Sequence, residues 1–219
     1  MGQVLIYHKR MSDSLASQAY QSIRRLIVTA ELPPGAVLSE SELQNSLGLG
    51  RTPIREALRT LATDHLVDVY PRRGMFVAGI DVRDLRALSE VRSVLEPFAA
   101  GVAAEKRDDG DVAAIDQLLA EIREHKTMDI RTLIDLDERI HHQVYAATHN
   151  SFLISDLNRY YTHALRIWFL ALDNVANLGE AVEQHSELLS AIRDSHVDLA
   201  VKVMTSHIND FEDEMRKAL

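Results

Sequence analysis

The chain has 219 residues, 46% hydrophobic and 26% charged, the balance of a folded globular protein long enough for one large domain or two modest ones. It has a formal net charge of -9 and no cysteine, which excludes disulfides, thiolate metal sites and thiol catalysis and fits a reducing cytoplasm. No apolar run is long enough to cross a bilayer, and "MGQVLIYHKRMSDS" puts its apolar patch before its charges, the wrong order for a secretion signal, so residues 1–11 read as a flexible tail.

Charge is unevenly spread. Residues 1–80 hold nine Lys/Arg against seven Asp/Glu, leaving 15 against 26 for residues 81–219. All five prolines lie within the first 97 residues. Both contrasts divide the chain into residues 12–79 and 80–219, with different partners expected for each. In "SLASQAYQSIRRLIVTAEL", Leu15, Ala19, Ile23, Leu26 and Ile27 share one helical face, and "LPPG" ends the helix. In "VLSESELQNSLGLG", Ser39 is expected to cap a short helix, with Glu42 as capping-box partner and Gly48 as the stop. Thr52 is expected to cap a third helix, with Pro53 at its first position. "LVDVYPRRGMFVAGI" reads as strands over 66–70 and 75–78 around the turn "PRRG". Helix, helix, turn, helix and hairpin make a winged helix-turn-helix.

Beyond Asp81 apolar residues recur at helical spacing through 85–104, 112–124, 130–147, 152–172, 180–193 and 197–216, with breaks near "RDDGD", "HNS", "NLG" and "RDSHVD". That pattern predicts six or seven helices in an all-α antiparallel bundle. The fold class is therefore mainly α, a winged helix-turn-helix domain followed by a helical bundle.

In "GRTPIREALRTL", Arg51, Arg55 and Arg59 stand one helical turn apart. A recognition helix presents its N-terminal residues to base edges, and its free N–H groups favour phosphate. Arg51, Thr52 and Arg55 lie at that end. Arginine reads guanine through two hydrogen bonds. Arg59 is a turn further back, within reach of phosphate, and Arg72, Arg73 and Gly74 form the wing tip, where glycine permits close approach. The plain alternative is a solvated face whose arginines pair with Glu56 and Asp64. The capped turn and the basic wing favour DNA. The whole stretch "LPPGAVLSESELQNSLGLGRTPIREALRTLATDHLVDVYPRRGMFV" resembles the N-terminal domain of GntR-family bacterial transcription regulators, and "RTPIREAL" followed by "PRRG" is specific to that family. Ser41 and Gln44 depart from the basic residue and the alanine often found there, and Ser41 bears on an expected phosphate contact.

The second stretch with chemistry is "LDERIHHQVYAATHN". Asp137 and His141, four apart, project from one helix face, a spacing that suits two ligands on one metal. His185 and His207 have their midpoint at residue 196, inside "RDSHVD", so two antiparallel helices joined there would bring them to the same height. One aspartate and three histidines make a nitrogen-rich site with open positions. The alternative is coincidence among ten histidines. His142 is turned about 100° from its neighbour and belongs to the surface or a groove. His8, His65, His125, His149, His163 and His196 read as ordinary surface or core residues.

"EVRSVLEPFAA", "DERIHHQVYAATHNSFL" and "HSELLSAIRDSHVDLAVKVMTSHI" are similar to the FadR-type effector domain (FCD) of the same regulators, and the combined resemblance covers residues 12–217. It implies that Asp137, His141, His185 and His207 hold one divalent cation at the floor of a ligand cavity, zinc first, with nickel, manganese or iron also accepting such ligands. It further implies a small carboxylate effector that completes the metal shell, with Arg92 facing the cavity as its partner and Arg166, beside Trp168, as a second candidate. The alternative for Arg92 is a salt bridge with Glu90 or Glu96.

These readings converge on a cytoplasmic, ligand-responsive transcription regulator, not an enzyme. It would bind a pseudo-palindromic operator as a homodimer and have no membrane partner. Two other readings are a regulator whose metal is purely structural and a metalloenzyme acting on organic acids. Against the enzyme stand the lack of a motif-like general base and a winged domain left without a purpose.

Overall fold

The computed structural model describes residues 14–124, 128, 130–171 and 178–218. The expected N-terminal tail, His8, His125 and the start of the "NLG" break lie outside the described residues. The chain forms two compact units, Met1–Ile80 and Asp81–Leu219.

The first unit runs α1 (Leu15–Val28), β1 (Val37–Leu38), α2 (Glu40–Leu47), α3 (Arg51–Thr63), β2 (Val67–Tyr70) and β3 (Gly74–Val77). Its core sets Ala19, Ile23 and Ile27 of α1 with Ile54, Ala57, Leu58 and Leu61 of α3. Those positions recur at three and four residues, so each helix buries one stripe. Leu15, in the first turn of α1, is exposed instead. Ser14 caps α1 by accepting from the Ser17 N–H at 3.0 Å. The helix stops at Thr29, before the prolines, where Ala30 turns left-handed at φ 57°. At α2 the Ser39 hydroxyl accepts from the Glu42 N–H at 3.4 Å, and Gly48 ends the helix at φ 65°.

Helix α3 starts earlier than expected. Its N-cap is Gly50, whose carbonyl accepts from the Ile54 N–H at 3.4 Å, so Thr52 lies inside the first turn. Pro53 is then the third helical residue, still among the four whose N–H groups lack a helical partner. The wing is an antiparallel β2–β3 hairpin ending on the pair Tyr70 and Gly74. A third strand, β1, was not expected; it pairs Val37 with Phe76 and Leu38 with Met75, giving the order β1-β3-β2.

The second unit consists of α4 (Val82–Lys106), α5 (Asp109–Arg123), α6 (Ile130–Ala146), α7 (Ser151–Ala171), α8 (Leu178–Arg193) and α9 (Val197–Ala218). The expectation of six or seven helices thus resolves to six among the described residues. Asp108 and Asp111 form a reciprocal capping box at the start of α5. Helix α9 packs along α4 closely enough that a Cβ on Gly101 would lie 2.9 Å from Val201 Cγ2. Residues 194–196 turn α8 back into α9. Helices α6, α8 and α9 thereby deliver three histidines to one place.

Candidate functional site

The buried stripe of α3 leaves Arg51, Thr52, Arg55 and Arg59 on its exposed side. No side chain caps the N-terminus of α3, so its first N–H groups point outward beside Arg51 and Thr52. Arg51 Nε and Arg55 Nε stand 3.5 and 3.4 Å from the two oxygens of Glu40, at the start of α2. Glu40, not foreseen from the sequence, is therefore an acid that meets these arginines. Asp64 instead accepts from the Tyr20 hydroxyl at 2.8 Å. The Arg51 side chain is 72% exposed and that of Arg55 46%, so each pair is worth at most ~1 kcal/mol and can yield to DNA.

At the wing tip Arg72 has φ 63° and Gly74 φ 106°. The glycine is required by that backbone angle, and open space surrounds the place of its missing Cβ. Arg73 donates its N–H to the Tyr70 carbonyl at 3.1 Å, and its guanidinium lies 5.8 Å from the Tyr70 ring centre. Tyr70 packs edge-on against Phe76 at 5.5 Å. This arrangement holds the wing arginine before any ligand arrives.

In the helical unit Asp137, His141, His185 and His207 are all buried. His141 Nε2 and His185 Nε2 lie 3.3 Å apart, and His185 Nε2 is 3.6 Å from Asp137 Oδ1. The His185 and His207 ring centres are 4.4 Å apart, and the ligand atoms of the three histidines all lie within 4.8 Å of one another. Two zinc–nitrogen bonds of about 2.0–2.1 Å at a tetrahedral angle put their nitrogens about 3.3 Å apart, so the three histidines fit a divalent cation, and Asp137 approaches them through His185. Burial, then the neighbouring His185, His141 and Arg92, pushes His207 well below the usual imidazole range. It is neutral, the form that binds metal.

The surroundings orient His141 and Asp137. His141 Nδ1 meets the Tyr145 hydroxyl at 3.1 Å and Glu96 Oε2 at 3.3 Å, which turns Nε2 toward the cluster. Glu96 is paired in turn with Arg92. Burial alone would raise the Glu96 carboxyl, but the Arg92 guanidinium and His141 outweigh it and hold it below the usual carboxylate range. Tyr161 donates to Asp137 Oδ2 at 2.5 Å, and burial with that carboxylate raises its own hydroxyl well above 10.0, keeping it a donor. Sequence reasoning missed Glu40, Tyr145 and Tyr161 as partners. Glu96 was visible only as a possible mate for Arg92.

A cavity of about 50 Å³ opens onto the cluster. A single water needs roughly 10–15 Å³, so the cavity takes a few waters or one small molecule. Arg92, Asp137, His141, Tyr161, Trp168 and His207 are among the residues that line it, and the Arg92 guanidinium lies 5.0 Å from the ring centre of Phe211, which also lines it. Arg166 is buried on α7 but is not among the described lining residues. His142 stays outside the cluster, 3.9 Å from Glu138. Asp108, Asp111 and His149 form a second acidic grouping, whose carboxylates are engaged by the α5 capping box, Gln143 and His149.

Comparison with known proteins bears on the family and the fold. Residues 15–77 match the bacterial regulatory proteins of the gntR family, and residues 87–210 match the FCD domain. A helix-turn-helix transcriptional regulator from an unstable DNA locus of Streptomyces ambofaciens is 30% identical over 199 residues, 90% of this chain and 84% of its own. The galactonate operon transcriptional repressor of Escherichia coli K12 is 30% identical over 205 residues, 82% of this chain and 87% of the repressor. The solved structure of E. coli McbR/YncC shares the fold with a TM-score of 0.81 at 22% identity, over 93% of this chain and 98% of that one. A winged helix bearing outward arginines, followed by a helical unit of the FCD type, defines a DNA-binding transcription regulator rather than an enzyme. The chain belongs to the GntR family and carries an FCD domain as its second unit.

Proposed function

We propose that this regulator binds a two-fold-symmetric operator as a homodimer, with its affinity set by a small carboxylate held at a divalent cation in the FCD domain. Asp137, His141, His185 and His207 would hold the ion, zinc first, with nickel, manganese or iron also accepting such ligands. The observation that carries the reading is the pair of imidazole nitrogens 3.3 Å apart in a buried cluster, beside a cavity that Arg92 also lines. Four protein ligands would leave room for an effector's carboxylate oxygens on an ion that accepts five or six ligands.

Arg51, Thr52 and Arg55 are assigned to base edges and nearby phosphate, and Arg59, Arg72, Arg73 and Gly74 to phosphate and the minor groove. Arg92, and secondarily Arg166, are assigned to the effector. Such a protein works in the cytoplasm, where its DNA is. One relative is named as a repressor of the galactonate operon, and galactonate is a sugar acid, which supports repression relieved by an acid. The effector would act only through its different affinity for two dispositions of the dimer.

The test is a thermal-shift screen of metal-loaded and chelated protein against small organic acids, with metal content measured in parallel. Stabilisation by an acid only when metal is present supports the reading. Stabilisation by metal alone, with no response to any acid, would make the ion structural.

A further inference from the structure

We infer that Glu40 is the residue that makes the recognition arginines read bases in preference to phosphates. This rests on the assignment of Arg51 and Arg55 to base edges made above and names what directs them there.

Glu40 is the first residue of α2 and is held in place by its own helix. The Ser39 hydroxyl caps the helix start, and Gln44 Nε2 donates back to the Glu40 carbonyl at 3.0 Å. The Glu40 carboxylate reaches across to α3 and divides between two guanidiniums. Its Oε2 stands 3.5 Å from Arg51 Nε and its Oε1 3.4 Å from Arg55 Nε. An acid placed among the groups that meet DNA opposes phosphate, so its position calls for a reason. Arg59, a turn further along α3, has no acidic partner among the described residues.

Both ion pairs are made through Nε. A guanidinium carries five N–H groups, so an Nε–H turned toward Glu40 leaves the fork formed by the two Nη atoms for O6 and N7 of guanine. Charge adds the discrimination. Arg51, Arg55 and Glu40 together carry one positive charge instead of two, and a phosphate that approaches either arginine also meets the Glu40 carboxylate. A base edge is neutral and meets no such repulsion. Glu40 therefore weakens the attraction of these arginines to any stretch of DNA backbone, the source of non-specific binding, and leaves their hydrogen bonds to guanine intact. It is a positioning residue that gains specificity by penalising the wrong contact.

The experiment measures the affinity of the full-length protein for an operator fragment selected from random DNA and for a shuffled fragment of the same composition, across a range of salt. Glu40→Gln keeps the shape and removes the charge. It should raise affinity for shuffled DNA more than for operator and lower the ratio between them about tenfold. On shuffled DNA it should also steepen the slope of log affinity against log salt by about one, the signature of one added phosphate contact. Glu42→Gln is the control, because Glu42 lies in the same first turn of α2 and makes no ion pair with either arginine among the described residues. Both readouts should stay there as in the unaltered protein. A ratio unchanged by Glu40→Gln, or lowered equally by Glu42→Gln, overturns the inference. Arg55→Ala separates it from the reading beneath it. A lower ratio in Arg55→Ala with no change in Glu40→Gln overturns the inference alone, whereas an unchanged ratio in Arg55→Ala removes that arginine as a base reader and overturns both.

Discussion

Each nitrogen of His141 answers to a different neighbour. Nδ1 faces Tyr145 and Glu96, and Nε2 faces His185. Partners on the far side of a ligand typically govern metal affinity by 10–100-fold, because they set ring orientation and basicity. Tyr161→Phe removes the donor to Asp137 with little change in shape, so metal affinity should fall about tenfold while the fold survives. A competition titration with a chromogenic chelator reads this directly, and unchanged affinity would detach Tyr161 from the site. Glu96→Gln is harsher. It leaves the Arg92 charge buried without its carboxylate, a loss of about 3–5 kcal/mol visible in denaturant unfolding. On the DNA side, Arg55→Ala should cost about 1–3 kcal/mol of discrimination at one base pair, read by selection from random DNA.

Protonation supplies a further residue-scale test. The folded protein keeps His207 well below the ordinary 6.5, chiefly through burial, whereas the unfolded chain takes up a proton near that value. Below about pH 6.5 the unfolded state binds more protons, so metal-free stability should decline as pH falls and level off above. Urea unfolding of chelated protein between pH 8 and 5 checks this. A flat profile would mean His207 is not held neutral.

At the scale of elements, helices with one buried stripe were legible because their period repeats over several turns. The described boundaries of α4 to α9 follow the predicted windows closely. The start of α3 was misplaced because Gly50 caps through its backbone and leaves no side-chain signal, whereas Thr52 offers a false one. Strand β1 was invisible since two residues cannot display alternation; only its pairing with β3 defines it. In the cluster, Asp137 and His141 could be read from helical spacing, and His185 with His207 from the turn midway between them. Tyr161 and Glu96 reach the cluster from α7 and α4 through packing between helices, which spacing along one helix cannot reveal. Packing also makes Gly101 sensitive. A Cβ there would lie 2.9 Å from the stiff side chain of Val201, so Gly101→Ala should cost about 1–3 kcal/mol by forcing α4 and α9 apart. Denaturant midpoints measure it, and a neutral result would show that the two helices can part freely.

For the molecule as a whole, the two units divide the chemistry. The first bears arginines on an exposed helix and wing, and the second buries a histidine cluster beside a cavity. An acidic net charge is no obstacle to DNA binding when the positive groups gather on one element. The effector and operator are coupled only if each changes the other's affinity, typically by 5–150-fold, and equally in both directions. The measurement that bears on this most directly is the affinity of the full-length protein for an operator fragment selected from random DNA. It should be taken with and without a bound acid, on metal-loaded and on chelated protein. The acid should shift operator affinity at least about fivefold in the metal-loaded protein and leave the chelated protein unmoved. The same affinity in all four conditions would contradict a metal-held effector controlling DNA binding.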